Sequence, residues 1–170
     1  MIKHLINPYT DEYLQFKKHI LSNQFAWHWL DHNVEGAHNS LIYDNFGFYQ
    51  QEILVRPERR TKYMSPYLKV ANTIFKQILS HNEIEYKRML RCCVNCTHPT
   101  PTHRLSIPHH DHPYPHTNLL VYLTEVYDGE TVVDGQAVYG EEDDIVIFKG
   151  LHCMRPPLYN RRIVIVFTYE

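Results

Sequence analysis

The chain has no apolar run approaching the roughly 20 residues that a membrane-spanning helix needs. Its opening segment, Met1 to Pro8, is too poor in apolar residues for a secretion signal. An excess of one charge sign is missing too, since 17 Lys+Arg against 19 Asp+Glu leave a formal net charge of -2. That balance supplies no broad electrostatic footprint for nucleic acid or an anionic membrane. It excludes a generic polyanion binder and leaves a local basic groove open. Cysteine is scarce: four residues, three of them at Cys92, Cys93 and Cys96, make no disulfide framework for 170 residues. A reducing cytoplasm is therefore the expected compartment. Repeats and low-complexity linkers are absent, and the Pro-rich stretch 99–115 is too short to separate domains. With 44% hydrophobic and 21% charged residues, the expectation is one globular domain over residues 1–170. Histidine is what stands out, at 13 residues, several of them between His98 and His116. Such crowding points toward metal.

The first part, residues 1–85, mixes helix and strand. Thr10 is an N-cap candidate with Asp11 and Glu12 in the first turn, where the helix dipole favours acids. Tyr13, Phe16, Ile20 and Leu21 then recur at helical spacing. Ser65-Pro66 reads as a cap followed by proline at the first helical position. From there Leu68, Ala71, Ile74, Phe75, Ile78 and Leu79 form one apolar stripe to about Asn82. Strands are expected at Phe25–Trp29 and Phe48–Val55. The second part, residues 86–170, reads as short strands at Met89–Cys96, Thr117–Thr124, Thr131–Tyr139, Asp144–Phe148 and Arg162–Tyr169. Turn signals stand at Asp128-Gly129, Asp134-Gly135, Tyr139-Gly140 and Lys149-Gly150. Strands spaced this way predict a sandwich or double-sheet barrel, with the two amphipathic helices on one outer sheet face. The class is α+β with a mainly β core.

His109-His110-Asp111 precedes a strongly β run. Residues i and i+2 of a strand share a side, so His109 and Asp111 can converge while His110 faces away. His152, after the Lys149-Gly150 turn, is the best candidate for a third ligand. Two histidines and a carboxylate form the facial triad of non-haem Fe(II) oxygenases, which leaves coordination positions open. Arg161 follows His152 by nine residues. By alternation it shares a face with Ile163, Ile165 and Phe167, opposite Arg162, Val164 and Val166. An arginine at the mouth of an apolar strand face near a metal is a bidentate anchor for a dicarboxylate. Either member of the tandem can serve, and Arg161 is favoured on the expectation that the helices cover the other face.

In order, the chain shows His109-x-Asp111, a β run ending Val121-Tyr122-Leu123, then Asp128-Gly129-Glu130-Thr131, Gly150-Leu151-His152 with Pro156, and Arg161. This arrangement resembles the Fe(II)/2-oxoglutarate-dependent dioxygenases, and within them the prolyl-hydroxylase-like branch, whose His-to-Arg spacing it shares. The resemblance covers residues 86–170 and implies a double-stranded β-helix (a jelly-roll, cupin-like barrel) buttressed by the N-terminal helices. It implies iron at His109, Asp111 and His152, with Arg161 on the distal carboxylate of 2-oxoglutarate. Tyr122 falls where the branch sets a hydroxyl against that carboxylate, Asn118 and Leu120 share its strand face, and Thr131 falls on the cosubstrate pocket. The implied reaction uses O2 and 2-oxoglutarate to hydroxylate an aliphatic C–H, with succinate as co-product. No protein group beyond the metal ligands is implied as catalytic. Ile163, Ile165 and Phe167 are expected to form the apolar wall. A prolyl residue of a peptide or protein is the suggested substrate, with free amino acids or other small molecules open.

Other readings compete. Cys93-x-x-Cys96 with His98 resembles half a zinc site but lacks a second pair. His110 and His112 form an HxH pair that suits a cupin-like protein which binds a metal or ligand without catalysis. Glu141 to Asp144 reads as a solvated acidic turn. The aromatic-flanked loop Asp31–Asn45 is a candidate lid over the site. Repair of alkylated nucleic acid is disfavoured by the charge and by the arginine spacing.

Overall fold

The computed structural model describes residues 1–59 and 65–170. Helix α1 spans Asp11–Ile20, and the Thr10 hydroxyl accepts a hydrogen bond from the Tyr13 amide, as an N-cap should. Helix α2 spans Leu68–His81. Pro66 and Tyr67 form the turn before it, and the Ser65 hydroxyl accepts from the Tyr67 amide. The helix thus starts two residues beyond Pro66, the position the dipeptide predicts.

The described residues also form twelve strands: β1 (Ile2–Leu5), β2 (His28–Leu30), β3 (Tyr43–Asp44), β4 (Phe48–Leu54), β5 (Met89–Thr97), β6 (Leu105–Ser106), β7 (Thr117–Tyr122), β8 (Thr131–Val133), β9 (Gln136–Val138), β10 (Ile145–Phe148), β11 (His152–Met154) and β12 (Arg162–Tyr169). The expected strand 25–29 shifts to His28–Leu30. The expected run 131–139 is a hairpin, because Asp134 and Gly135 both adopt positive φ and turn the chain between β8 and β9. Edge strand β1 and the short strands β3, β6 and β11 have no counterpart in the sequence reading.

The main sheet has the order β1-β10-β7-β12-β5-β4-β2 and is antiparallel throughout. Facing it is a smaller antiparallel sheet, β11-β8-β9, beside the short parallel pair β3-β6. This is the jelly-roll arrangement of a double-stranded β-helix, and its main sheet takes β1, β2 and β4 from the first half of the chain.

The two faces of the main sheet bury different things. Cys92, Val94, Ile163, Ile165, Phe167, Leu119 and Val121 point toward α1 and α2, where they meet Phe16, Ile20, Ile74, Phe75 and Ile78. Phe75 sits at the centre of that layer, its ring 5.3 Å from Phe167 and 5.4 Å from Tyr169. The opposite face carries Cys93, Leu120, Tyr122, Val146, Phe148, Val164 and Val166 toward the smaller sheet. Large side chains fill the helix-facing layer. The valines on the other face leave room, and the cavity described below lies there. No described helix is long and apolar enough to cross a membrane.

Candidate active site

The site begins with a backbone contact. The His109 amide donates to the His152 carbonyl at 2.9 Å, and the His152 amide donates back to His109 at 3.0 Å. This isolated antiparallel bridge brings the imidazole centroids to 4.6 Å. His109 Nδ1 lies 3.0 Å from the Ile107 carbonyl and His152 Nδ1 lies 3.4 Å from that of Gly150. Both rings therefore keep Nε2 for the interior. Asp111, buried two residues beyond His109, brings Oδ2 to 3.4 Å from His152 Nε2. The ligand atoms of His109, Asp111 and His152 all lie within 4.8 Å of one another, and no other such His/Cys/Asp/Glu group occurs among the described residues.

The electrostatics suit a cation. Burial, and the neighbouring His152, push His109 down to about 4, so its imidazole is neutral and its lone pair is available at neutral pH. Burial opposes the charge on Asp111, but its hydrogen bond with His152 and the Arg91 guanidinium hold the carboxyl well below its ordinary range. Two imidazoles and one carboxylate are the donor set of a non-haem divalent iron site, so these residues fit the metal.

Asp111 is anchored from behind by two residues that the sequence reading missed. Its Oδ1 accepts from Arg91 Nη1 at 2.7 Å and from Arg56 Nη2 at 3.1 Å. Oδ2 is thereby left to face the histidines. The available signal was Arg91 itself, a lone cation in the apolar strand Met89–Thr97, since a buried arginine needs an acid partner.

The expected orientation of the terminal strand is reversed. Arg162, not Arg161, enters the cavity. Arg161 is exposed on the outside, in a shallow groove with His98, Glu125 and Asn160. Ile163, Ile165 and Phe167 are core residues beneath the helices, so the cavity wall comes from Val164 and Val166 with Leu120 and Phe148. Arg162 is 2% exposed; its Nη2 donates to Thr131 Oγ1 at 2.9 Å and its guanidinium carbon lies 5.2 Å from the Tyr122 ring centroid. Among the described residues it has no carboxylate partner, and its Nε is buried without an acceptor, as is the hydroxyl of Thr97 paired with it across β5 and β12. A buried cation with unspent donors is a place for an anion.

The triad, Arg162, Thr131, Asn118 and Leu120 line one cavity of about 100 Å³. Tyr122 stands behind it, its hydroxyl 2.9 Å from Thr131 Oγ1. Asn33, from the candidate lid, also lines the cavity, and the Asn45 side chain ties that loop by accepting from the Asn33 and Val34 amides and donating to the Val34 and Ala37 carbonyls.

The competing motifs do not assemble. Cys96 packs in the helix-facing layer while Cys93 packs in the layer toward the smaller sheet, so the pair diverges, and all four cysteines are free. His110 is exposed, whereas His112 is buried between Thr168 Oγ1 (2.7 Å) and Glu58 (2.9 Å). The acidic turn is structural: Lys17 of α1 bridges Glu142 and Asp143.

No family model and no curated protein matches this chain. Solved structures do resemble it. A 2OG-Fe(II) oxygenase family oxidoreductase from Burkholderia pseudomallei superposes with a TM-score of 0.66 at 17% identity, covering 99% of this chain and 84% of that one. The non-haem alpha-ketoglutarate-dependent epimerase SnoN from nogalamycin biosynthesis gives 0.61 at 13%, covering 99% and 77%. A Trichoplax adhaerens prolyl hydroxylase, in complex with a peptide of the hypoxia inducible factor oxygen degradation domain, gives 0.60 at 14%, covering 99% and 82%. The chain has the fold of these proteins.

Proposed function

We propose that this protein is a non-haem Fe(II)- and 2-oxoglutarate-dependent dioxygenase that hydroxylates an aliphatic C–H. One observation carries the reading. Arg162, a buried arginine without an acid partner among the described residues, shares one cavity with a triad of two histidines and a carboxylate. His109 Nε2, His152 Nε2 and one oxygen of Asp111 would hold the iron, with Arg91 and Arg56 fixing the other oxygen. The metal and O2 supply the oxidising power, matched by decarboxylation of 2-oxoglutarate to succinate.

The chain's own part is binding and orientation. Arg162 would take the distal carboxylate of 2-oxoglutarate, with Thr131 and Thr97 hydroxyls beside it, and Tyr122 fixes Thr131 from behind. Leu120, Phe148, Val164 and Val166 keep water from the space between that carboxylate and the metal position. Four free, buried cysteines favour a reducing compartment, the cytoplasm.

A prolyl substrate draws support from the prolyl hydroxylase of like fold, but the same fold serves an epimerase, and fold does not set substrate. The test is incubation with Fe(II), 2-oxoglutarate and O2, reading succinate. Succinate release that stops in His109→Ala supports the reading. Metal binding without 2-oxoglutarate binding would favour a cupin-like binding protein.

A further inference from the structure

We propose that the molecule oxidised here is a small carboxylic acid whose carboxylate Arg56 receives at the cavity mouth; this rests on the dioxygenase reading above. Arg56 follows β4 at the rim, and its side chain is 28% exposed. It lines both the inner cavity and an outer groove formed by residues 110–116 with Lys149.

The charges around it do not balance. Arg56 and Arg91 share a single oxygen of Asp111, and Arg91 has the closer contact. Glu52 lies between Arg91, at 4.0 Å, and Arg59, at 3.8 Å. Glu58 is committed to His112 at 2.9 Å. Around the cavity, among the described residues, the guanidiniums of Arg56, Arg91 and Arg162 thus outnumber Asp111 and Glu52. A divalent metal and a dianionic cosubstrate cancel each other and leave the surplus in place. The outer groove adds Lys149, His110 and His116, and Asp111 is the one acid among its lining residues.

Position narrows the class. Arg162 would be taken by the cosubstrate, and Arg91 is enclosed. Arg56 touches one oxygen of the carboxylate whose other oxygen faces the metal position. An anion on Arg56 therefore lies within a few bonds of the carbon presented for oxidation. A free amino acid or another small acid places a carboxylate there. A prolyl residue inside a polypeptide has only a neutral amide at that point.

The test uses the protein loaded to full occupancy with Mn(II), under argon, with saturating 2-oxoglutarate, and isobutyrate or isobutyramide as probe. Proton relaxation of each small molecule is read by NMR. The isobutyrate methyl protons are expected to relax at least ~10-fold more strongly than those of isobutyramide. Scaled to the Mn(II) that each variant binds, that difference should vanish in Arg56→Gln and return in part in Arg56→Lys. Equal behaviour of acid and amide, or an isobutyrate effect that survives Arg56→Gln, overturns the subsite alone. Absence of 2-oxoglutarate relaxation in the wild type overturns the dioxygenase reading instead.

Discussion

His109 and His152 exchange both backbone hydrogen bonds, at 2.9 and 3.0 Å, although they lie on separate segments of the barrel. The two imidazoles are therefore placed by the main chain and not by the metal they would bind. Stripping the metal with a chelator should leave far-UV circular dichroism unchanged and the fold cooperative. Collapse of the chain on chelation would contradict this placement.

Arg91 is the buried partner that keeps Asp111 ionised and aimed. Replacing it with Leu leaves the carboxylate on Arg56 alone, at 3.1 Å and nearer to solvent. Metal affinity should fall about 10–100-fold, the usual cost of losing a residue that orients a ligand. A competition titration with a fluorescent chelator measures it. Unchanged affinity would mean that Asp111 needs no such support.

Acid should destabilise the metal-free protein through His109. Its folded value, about 4, is below the ordinary 6.5, so between those values the unfolded chain takes up a proton that the folded one refuses. Stability is then full above about pH 6.5 and declines as pH falls toward 4, by up to about 3 kcal/mol. His116 is shifted in the same direction, whereas Asp111, held low, keeps its contribution through this window. Urea unfolding between pH 7 and 4.5 should show this loss, and His109→Asn should show a shallower one. Parallel curves would remove His109 from the account.

Phe75 tests the opposite layer of the barrel. It is fully buried against Phe167, Tyr169 and Tyr86. Phe75→Ala should cost about 3–5 kcal/mol in unfolding free energy. Because β12 separates that layer from the cavity, the folded variant should keep its metal affinity. A parallel loss of metal binding would show that the two layers are coupled.

Much of this was legible in the residues, for reasons that also explain what was not. His109-x-Asp111 could be read because an i, i+2 pair can converge, as these two do although only His109 is bridged and Asp111 lies in a bend, and Thr10 because a cap has a local chemistry. The face of β12 could not be read from alternation. All eight of its residues are buried and Ile163 to Phe167 are apolar without a break, so alternation there marks neither face. Side-chain size held the answer. Ile163, Ile165 and Phe167 fill a helix–sheet interface, while Val164 and Val166 spare a cavity, which puts Arg162 inside. Arg56 was invisible for another reason: its role depends on a contact with Asp111, far along the chain, that no local pattern encodes. Strand β1 is a four-residue edge with only Leu5 buried, too short to show a period.

The most direct measurement is an anaerobic titration of the apo-protein with Fe(II) and then 2-oxoglutarate, watching the visible metal-to-ligand charge-transfer band in wild type, Arg161→Ala and Arg162→Ala. The band should form alike in wild type and Arg161→Ala, since Arg161 lies outside the barrel. Arg162→Ala should need at least ~30-fold more 2-oxoglutarate, as expected for removing one partner of a buried ion pair. Loss of the band in Arg161→Ala with retention in Arg162→Ala, or no band in wild type with iron bound, would contradict the assignment of this cavity to the cosubstrate.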